Sequence, residues 1–520
     1  MIHTGPEPSI EIPETDVTSF VLGDAAEHWE RDALVDGPSG RGITYGDLAH
    51  EVRGLAAGLA SRGVGKGDVV AIYMPNLPEY ALVFHGVCSA GAVNTTVNPL
   101  YTEGELAFQL RDSGARMLIT VPPFLDTARK AAEEAGDIDL VVVGEAEGAT
   151  PLTELIESGA EPPEVEIDPG RDLAVLPYSS GTTGMPKGVM LTHRNLVANI
   201  NQANARIGLA PGDVVIGSLP FFHIFGMTVI MNMGLRNGAK IVTMPRFDLD
   251  QFLDLIEGHR ATHLFIVPPI ALALAKHPAV EGRDLSSLRV VNSGAAPLGA
   301  ELVRQVSERI GCVVMQGYGL TETSPVTHCN PIDPELVKPG TIGPALPGTE
   351  VRLVDPETGE DVAGGDRGEV WIRGPQVMSG YLNNPEATAA TIDEDGWLHT
   401  GDVAVVDEDG YFQIVDRLKE LIKYKGFQVP PAELEALLIS HPAVTDAAVI
   451  GVPDEEAGEL PKAFVVASAQ VSDQKLLEFV AERVSPQKRV RLIERVDEIP
   501  KSPSGKILRR LLADREAAAS

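Results

Sequence analysis

The stretch from Tyr178 to His193, YSSGTTGMPKGVMLTH, constrains this chain more than any other part of the sequence. Three glycines, four hydroxyl residues and one lysine lie between Ser179 and Val189. Backbone N–H groups in such a loop can close around phosphate oxygens, because glycine has no side chain to block them. The hydroxyls add donors, and Lys187 adds a mobile positive charge. The alternative is a plain polar surface loop, which does not call for a lysine among so many hydroxyls.

The loop differs from the P-loop of kinases and GTPases, in which the lysine is followed by a serine or threonine that holds magnesium. Here Lys187 stands between Pro186 and Gly188. A nucleotide site built on this loop must therefore find its magnesium ligand elsewhere in the chain. The apolar run from Leu173 to Tyr178 predicts a buried strand that leads into the loop.

The net charge of the 520-residue chain is −32. Such a field disfavours nucleic acids and anionic membrane surfaces as partners, so we expect neither. A nucleotide is also anionic, and its site needs local basic residues to overcome the field. The most apolar stretch, Phe221 to Leu235, is too short and too polar to span a bilayer.

The three cysteines, Cys88, Cys312 and Cys329, are widely spaced and form no CxxC pair. This usage is typical of small buried residues in a reducing compartment. The first residues, MIHTGPEPSIEIPETD, are acidic and contain prolines, unlike a secretory signal. We therefore expect a cytoplasmic protein, either a monomer or a homodimer.

Helix and strand patterns alternate from Thr44 to about Val143, and again after the glycine-rich loop. This alternation predicts an α/β fold whose sheets are covered by helices. Short strands separated by Asp/Gly turns then predict a β-barrel-like unit, and a small α+β domain follows it. The predicted bounds are 1–416 for the large N-terminal domain, roughly 20–165 and 166–340 for its two α/β subdomains with mixed sheets, 341–416 for its barrel-like subdomain and 417–520 for the C-terminal domain.

Two segments after the loop have the composition of nucleotide contacts. In GYGLTET, Tyr318 can stack on a base, Thr321 can donate to a phosphate and Glu322 can coordinate magnesium. The alternative is a glycine turn with a helix cap at Thr321. In WLHTGD, Asp402 can accept hydrogen bonds from ribose hydroxyls, although a lone aspartate in a turn is usually only a turn residue.

Two further segments present cations. DRLKELIKYKGFQ begins at Asp416 and clusters four cations between two predicted domains, where a solvated charged face is the alternative. Near the chain end, PSGK presents Lys506 from a glycine turn.

Taken in order, these five segments resemble the motifs of the adenylate-forming enzymes, which include acyl-CoA synthetases, adenylation domains of peptide synthetases and firefly-type luciferases. The resemblance runs from about Asp24 to Arg510. It is closest to the 4-coumarate–CoA ligases, particularly at 416–435 and 246–278. It implies a ligase that activates a carboxylic acid with ATP and Mg²⁺ as an acyl-adenylate and then transfers the acyl group to coenzyme A. It also implies that the C-terminal domain is a mobile lid.

The resemblance assigns roles to individual residues. Lys506, His223, Thr321 and Glu322 are implied to be catalytic, with Glu322 binding magnesium. Lys506 is expected to neutralise charge at the α-phosphate as the carboxylate attacks it. The implied ATP and AMP contacts are Ser179, Ser180, Gly181, Thr182, Thr183, Gly184, Lys187, Gly294, Ala295, Ala296, Pro297, Gln316, Gly317, Tyr318, Gly319, Thr321, Asp402, Arg417, Lys423 and Gln428.

The same lysine would obstruct the thiol of coenzyme A, so the lid is expected to swing away before the second step. Lys419 matches the hinge position of the family. Lys425 and Gly426 are the implied coenzyme A contacts, and Lys423 and Gln428 are expected to turn toward the site with Gly426 at that stage.

The segment PFFHIFGM places His223 where the family orients the carboxylate, although a buried structural histidine is the alternative. Peptide-synthetase domains carry an aspartate there, so amino acids are disfavoured as substrates. Phe225 and Val229 replace polar residues of many plant hydroxycinnamate enzymes. Cinnamate, another arylacrylate or a medium- or long-chain fatty acid therefore fits as well as 4-coumarate. The implied acid pocket is His223, Ile224, Phe225, Val229, Pro325 and Val326.

Three other functions stay open on the sequence alone. They are an acyl-AMP ligase that loads a carrier protein, a luciferase-like oxygenase and a catalytically inactive nucleotide-binding protein. The joint presence of Lys187, Glu322, Asp402, Arg417 and Lys506 argues against the last.

Overall fold

The computed structural model describes residues 1–179, 186–425, 427–454, 457–468, 470–503 and 505–519. In this part of the chain the strands form four sheets. A continuous hydrophobic core includes residues of both α/β sheets. The predicted α/β class, with several mixed sheets and a C-terminal α+β unit, is confirmed.

The first α/β sheet carries the two strands that flank the glycine-rich loop at one edge. Its inner strands are parallel and buried, as expected where helices cover a sheet. In spatial order its strands are Tyr178–Ser179, Lys187–Thr192, Leu173–Val175, Val93–Thr96, Val69–Tyr73, Ala115–Thr120, Asp139–Val142 and Thr150–Pro151, with Gly380–Tyr381 paired to Lys187–Thr192.

The apolar run before the glycine-rich loop forms two short strands, Leu173–Val175 and Tyr178–Ser179, rather than the single predicted one. Pro177 lies between them and has no N–H to donate to a sheet. Both strands pair antiparallel with Lys187–Thr192. Lys187 is thereby set directly opposite Ser179.

The second α/β sheet is parallel in its interior and antiparallel at both edges. Two of its strands come from residues 32–44, whereas strands from residues 173–192 belong to the first sheet. The chain thus crosses between the two sheets, which ties them into one body. In spatial order the strands are Val326–Cys329, Val313–Gly319, Val290–Ser293, His263–Ile266, Val214–Gly217, Lys240–Thr243, Asp32–Asp36 and Gly42–Thr44.

The carboxyl ends of these parallel strands meet at one edge of the second sheet. The strand Val290–Ser293 leads into Gly294, His263–Ile266 leads into Val267, and Val214–Gly217 leads toward His223. In open α/β sheets this edge is where ligands bind. Parallel pairing therefore gathers segments that lie far apart in the chain.

The third sheet is antiparallel throughout and includes the chain's first strand. A fourth sheet and three helices form the C-terminal unit after Arg417. The strands of the third sheet are His3–Thr4, Glu350–Val354, Gly368–Arg373, Leu398–Val406 and Phe412–Arg417; those of the fourth are Phe427–Val429, Ile422–Tyr424, Gly458–Ala467, Val444–Asp454 and Leu492–Arg495.

Local signals in the sequence account for several helix ends. Thr44 caps the helix Tyr45–Ser61 by accepting a hydrogen bond from the backbone of Asp47, and Gly114 ends the helix Glu103–Ser113 in the left-handed region. In the described residues no helix has the length and apolar character needed to cross a membrane. The α-helices are Val17–Leu22, Tyr45–Ser61, Pro78–Ser89, Glu103–Ser113, Leu125–Ala135, Leu152–Ile156, His193–Ile207, Met233–Arg236, Leu249–His259, Pro268–Lys276, Ala300–Ile310, Pro385–Thr391, Pro431–Ser440, Asp473–Ala481 and Arg509–Ala519.

Candidate active site

A buried carboxylate, Asp402, lies at the centre of the candidate site. It sits directly opposite Arg417 on the neighbouring antiparallel strand. Its Oδ1 is 2.9 Å from Arg417 Nε, and its Oδ2 accepts a hydrogen bond of 2.6 Å from the Tyr318 hydroxyl. Burial raises the pKa of Asp402, and the charge of Arg417 opposes that rise. The carboxylate is therefore held in one orientation before any ligand arrives.

Lys506 reaches this centre from the C-terminal unit. Its turn is closed by a 2.8 Å hydrogen bond from the Ser502 N–H to the Lys506 carbonyl. Gly505, in the left-handed region, packs so closely on Val267 that a Cβ there would lie 2.9 Å from Val267 Cγ2. Burial lowers the pKa of Lys506 to about 8, with a further lowering by Arg417 and an opposing effect of Asp402. The two parts of the chain thus meet at the Lys506 turn, where Gly505 packs on Val267.

His223 lies within electrostatic reach of Lys506. Burial lowers the pKa of His223 to about 4, and the charge of Lys506 adds to this effect. The Phe225 N–H donates to His223 Nδ1 at 3.3 Å. At neutral pH the ring is therefore uncharged and carries its proton on Nε2, from which it can donate a hydrogen bond.

Asn76 anchors the segment that carries His223. Its amide nitrogen donates to the carbonyls of Gly217 and Leu219 at 2.9 and 2.7 Å, and its oxygen accepts from the Phe221 N–H at 2.7 Å. Asn76 follows the strand Val69–Tyr73 of the first sheet. The first sheet thus positions a catalytic candidate on the second.

The wall next to His223 is apolar and starts with a π-helix, Phe225–Asn232. A π-helix is rare and often marks a functional site. Phe225 packs edge-to-face on Phe265, with ring centroids 6.4 Å apart. A Cβ at Gly294 would lie 2.8 Å from Phe225 Cε1, so this glycine lets the ring sit against the loop. Ile224, Val229, Pro325 and Val326 of the predicted acid pocket are all buried.

The loop Gly294–Pro297 follows a parallel strand, and its second residue, Ala295, lies in the left-handed region. Gln316 holds its far end, because its side-chain oxygen accepts from the Leu298 N–H while its nitrogen donates to the Thr341 carbonyl at 3.0 Å. The Gln316 amide is thus occupied in shaping the loop. A Cβ at Gly319 would overlap the Pro325 carbonyl, so only glycine fits there.

Glu322 lies in the short 3₁₀ helix Thr321–Thr323 and faces the glycine-rich loop. Its Oε1 accepts hydrogen bonds from Ser179 Oγ at 3.0 Å and from the Tyr381 hydroxyl at 2.8 Å. Lys187 Nζ lies 4.7 Å from the centroid of the Tyr381 ring. Among the described residues, no group of three or more His, Cys, Asp or Glu side chains is placed to hold a metal ion.

Two family profiles cover most of the chain. The AMP-binding enzyme profile matches residues 23–382, and the AMP-binding enzyme C-terminal domain profile matches residues 433–506. The chain belongs to the AMP-binding enzyme family. The predicted membership is therefore confirmed.

Related proteins and solved structures agree with this assignment. The chain is 44% identical to a 4-coumarate–CoA ligase of Pinus taeda, over 98% of this chain and 97% of that one. It is 46% identical to 4-coumarate–CoA ligase 5 of Oryza sativa subsp. japonica, over 98% and 96%. An anthranilate CoA ligase in complex with anthranoyl-AMP has a TM-score of 0.91 at 29% identity, covering 98% and 99%. A benzoate CoA ligase from Burkholderia xenovorans has a TM-score of 0.88 at 28% identity, covering 96% and 100%.

In this AMP-binding enzyme the hairpin with the predicted coenzyme A contacts is set apart from the buried centre. Lys423 and Gln428 face each other across the hairpin and are exposed, as is Lys425. Lys419, the predicted hinge residue, is also exposed. By contrast, Lys506 is half-buried, and its pKa is affected by the charges of Arg417 and Asp402. Ser180, Gly181, Thr182, Thr183, Gly184 and Gly426 lie outside the described residues.

Three residues of the site were not predicted: Asn76, Phe265 and Tyr381. Asn76 and Phe265 lie in or directly after buried strands, where the local pattern indicates only core. Tyr381 follows a glycine and precedes a turn-forming Leu-Asn-Asn-Pro run. Nothing in their local sequences separates these residues from structural ones, since their role depends on long-range contacts.

Proposed function

We propose that this AMP-binding enzyme is an ATP-dependent carboxylate–CoA ligase that forms an acyl-CoA through an acyl-adenylate. One observation carries the proposal. The Lys506 turn of the C-terminal unit packs on Val267 of the large body, and the half-buried amine lies within electrostatic range of Asp402, Arg417 and His223. A protein that only bound a nucleotide would not need a cation from a movable C-terminal unit at that point.

In the first step the carboxylate attacks the α-phosphorus of ATP and pyrophosphate leaves. The Lys506 ammonium neutralises charge on the acid and the α-phosphate as it builds up, an effect worth about 3 kcal/mol in a closed site. The neutral His223 donates from Nε2 and orients the acid. Asp402 and Arg417 hold the ribose, and Tyr318 stacks on the adenine.

Glu322 is the side chain that would hold the magnesium ion, which balances phosphate charge when it is bound. Its Oε1 already accepts two hydrogen bonds, whereas its Oε2 has no partner among the described residues. The carboxylate therefore has one oxygen fixed and the other open, which suits a hard cation. Lys187 supplies a second positive charge beside it.

In the second step the thiol of coenzyme A attacks the acyl-adenylate and AMP leaves. Lys506 fills the approach in the arrangement seen here, so the C-terminal unit turns about Lys419 before the thiol enters. The exposed hairpin around Lys425 and Gly426 then faces the site. The enzyme acts as a monomer or as a homodimer whose copies each hold a complete site, and it works in the cytoplasm.

The acid is aromatic, of the cinnamate or hydroxycinnamate type. Phe225 packs edge-to-face on Phe265, and the ring of an aromatic acid can extend this aromatic packing. The named activities of the two plant relatives, of the anthranilate CoA ligase and of the benzoate CoA ligase point in the same direction. A medium- or long-chain fatty acid is the second candidate, because the buried Val229 adds apolar surface without a polar group.

A panel of carboxylic acids tests the proposal through thioester formation with ATP, Mg²⁺ and coenzyme A. We expect the highest kcat/KM with cinnamate-type acids. Lys506→Ala should lose at least about a hundredfold in acyl-adenylate formation and keep thioester formation from supplied acyl-AMP. An equal loss in both half-reactions would contradict the two-step arrangement.

The panel also separates the rival functions. Acid-dependent pyrophosphate–ATP exchange without release of AMP on addition of coenzyme A would indicate a different acceptor, such as a carrier protein. Absence of pyrophosphate–ATP exchange with every acid would leave only a nucleotide-binding role and overturn the proposal.

A further inference from the structure

Tyr381 has no role among the predicted site residues, yet its backbone is fixed from several directions. It lies on the short strand Gly380–Tyr381, opposite Val189 on the strand that begins at Lys187. The Tyr381 N–H donates to Thr388 Oγ1 at 2.9 Å, and the Leu382 N–H donates to the Gly188 carbonyl at 2.8 Å. The ring thus has little freedom to leave its place.

The Tyr381 side chain contacts both charged groups on the phosphate side of the site. Its hydroxyl donates to Glu322 Oε1 at 2.8 Å, and Lys187 Nζ lies over its ring at 4.7 Å. A single ring therefore keeps a carboxylate and an ammonium at a set separation.

The two contacts have different physical effects. The hydroxyl occupies Oε1 together with Ser179 and directs Oε2 away from both donors. The ring face attracts the ammonium by a cation–π interaction, which favours one position of the long Lys187 side chain. Without the ring, Lys187 could close on Glu322 and form an ion pair that both phosphate and metal would have to break.

We propose that Tyr381 is a positioning residue for the magnesium–nucleotide complex, orienting Glu322 through its hydroxyl and holding Lys187 off that carboxylate through its ring. This rests on the proposed ATP-dependent function. Tyr381 contacts Glu322 and Lys187, and it acts through these two groups.

Two substitutions separate the two contacts. Tyr381→Phe removes the hydroxyl and keeps the ring, whereas Tyr381→Leu removes both. We expect Tyr381→Phe to bind ATP in EDTA as tightly as the wild type does. Mg²⁺ should still raise its affinity for ATP, but about tenfold more Mg²⁺ should be needed, as is typical when a partner of a metal ligand is lost. Tyr381→Leu should also bind ATP more weakly in EDTA. Isothermal titration calorimetry of ATP over a Mg²⁺ series measures both effects without turnover.

Tyr45→Phe is the matched control, because the buried Tyr45 hydroxyl also donates a hydrogen bond, to the Ala239 carbonyl at 2.8 Å. We expect its magnesium dependence to match that of the wild type. A Tyr381→Phe titration that superimposes on the wild-type curve would overturn this inference and leave the proposed function intact. A wild-type chain that binds no ATP would overturn both.

Discussion

Lys506 shows at the residue scale how burial tunes a charge for one step. An ordinary lysine is charged at any physiological pH, but burial lowers the pKa of this one to about 8. Its partners oppose one another, since Arg417 lowers the pKa while Asp402 and Glu420 raise it. In the free enzyme the amine is therefore mostly charged below about pH 8 and mostly neutral above it.

A pH dependence follows for the first half-reaction. The ammonium is the active form, and a lowered pKa means that it is lost as pH rises through about 8. We expect kcat/KM for ATP in pyrophosphate exchange to fall above that pH, because kcat/KM reports the free enzyme. Bound phosphates favour the charged form, so the decline in kcat should lie at higher pH.

The control for this prediction is thioester formation from supplied acyl-AMP, in which Lys506 takes no part. Its rate should not show the same decline. A Lys506→Arg variant should be slower in exchange yet flat over the same range, because arginine stays charged. A decline of equal size in this variant would assign the titration to another group.

At the element scale, the loop between the strand Val214–Gly217 and the π-helix depends on a residue from outside its own sheet. Asn76 makes three hydrogen bonds to the backbone of this loop. Thr96 adds a fourth, from its hydroxyl to the Phe222 carbonyl at 2.8 Å. The position of His223 is thus decided jointly by two sheets.

Asn76→Ala should therefore lower both the stability of the fold and the affinity for the acid. Three buried backbone groups would lose their partner, and we expect a loss of about 3 kcal/mol in the free energy of unfolding by urea. The KM of the acid should rise more than the KM of ATP. Asn201→Ala is the control, since its amide bonds only the Glu11 carbonyl near the surface, and it should change stability by less than about 0.5 kcal/mol.

At the scale of the whole molecule, a hydrogen bond from Lys276 helps to hold the C-terminal unit against the large body. Lys276, at the end of the helix Pro268–Lys276, donates to the Ile439 carbonyl of the C-terminal unit at 3.0 Å. Burial lowers the pKa of Lys276. This contact belongs to the arrangement in which Lys506 lies in the site, so it favours the first step over the second.

Lys276→Met should shift the balance between the two half-reactions. A hydrogen bond from a charged group contributes about 1.5 kcal/mol or more, so we expect pyrophosphate exchange to slow by up to roughly tenfold. Thioester formation from acyl-AMP should be unchanged or faster. Lys130→Met removes a surface lysine paired with Glu103 within the large body, and it should leave the ratio of the two half-reaction rates unaltered. Equal slowing of both half-reactions by Lys276→Met would contradict the role.

Local sequence was enough for most elements of the fold and for the residue types of the site. The helices Tyr45–Ser61 and Glu103–Ser113 follow from periodicity and capping, which act over a few residues. The apolar pattern before the glycine-rich loop predicted a single strand, but the structure has two. Apolar patterning does not show that Pro177 lacks the N–H that a continuous strand would need. Membership of strands in sheets, such as that of Asp32–Asp36 in the second sheet, depends on pairing over long distances.

The sequence by itself determined which chemistry this protein can carry, because glycine spacing, hydroxyls and charged side chains are local properties of the chain. It did not determine that Asn76, Phe265 and Tyr381 belong to the site, or that the half-buried Lys506 lies within electrostatic range of Asp402. Those facts arise only when segments hundreds of residues apart pack together and exclude water from the charges between them. Distance and burial are properties of the folded chain, and they decide what each side chain does.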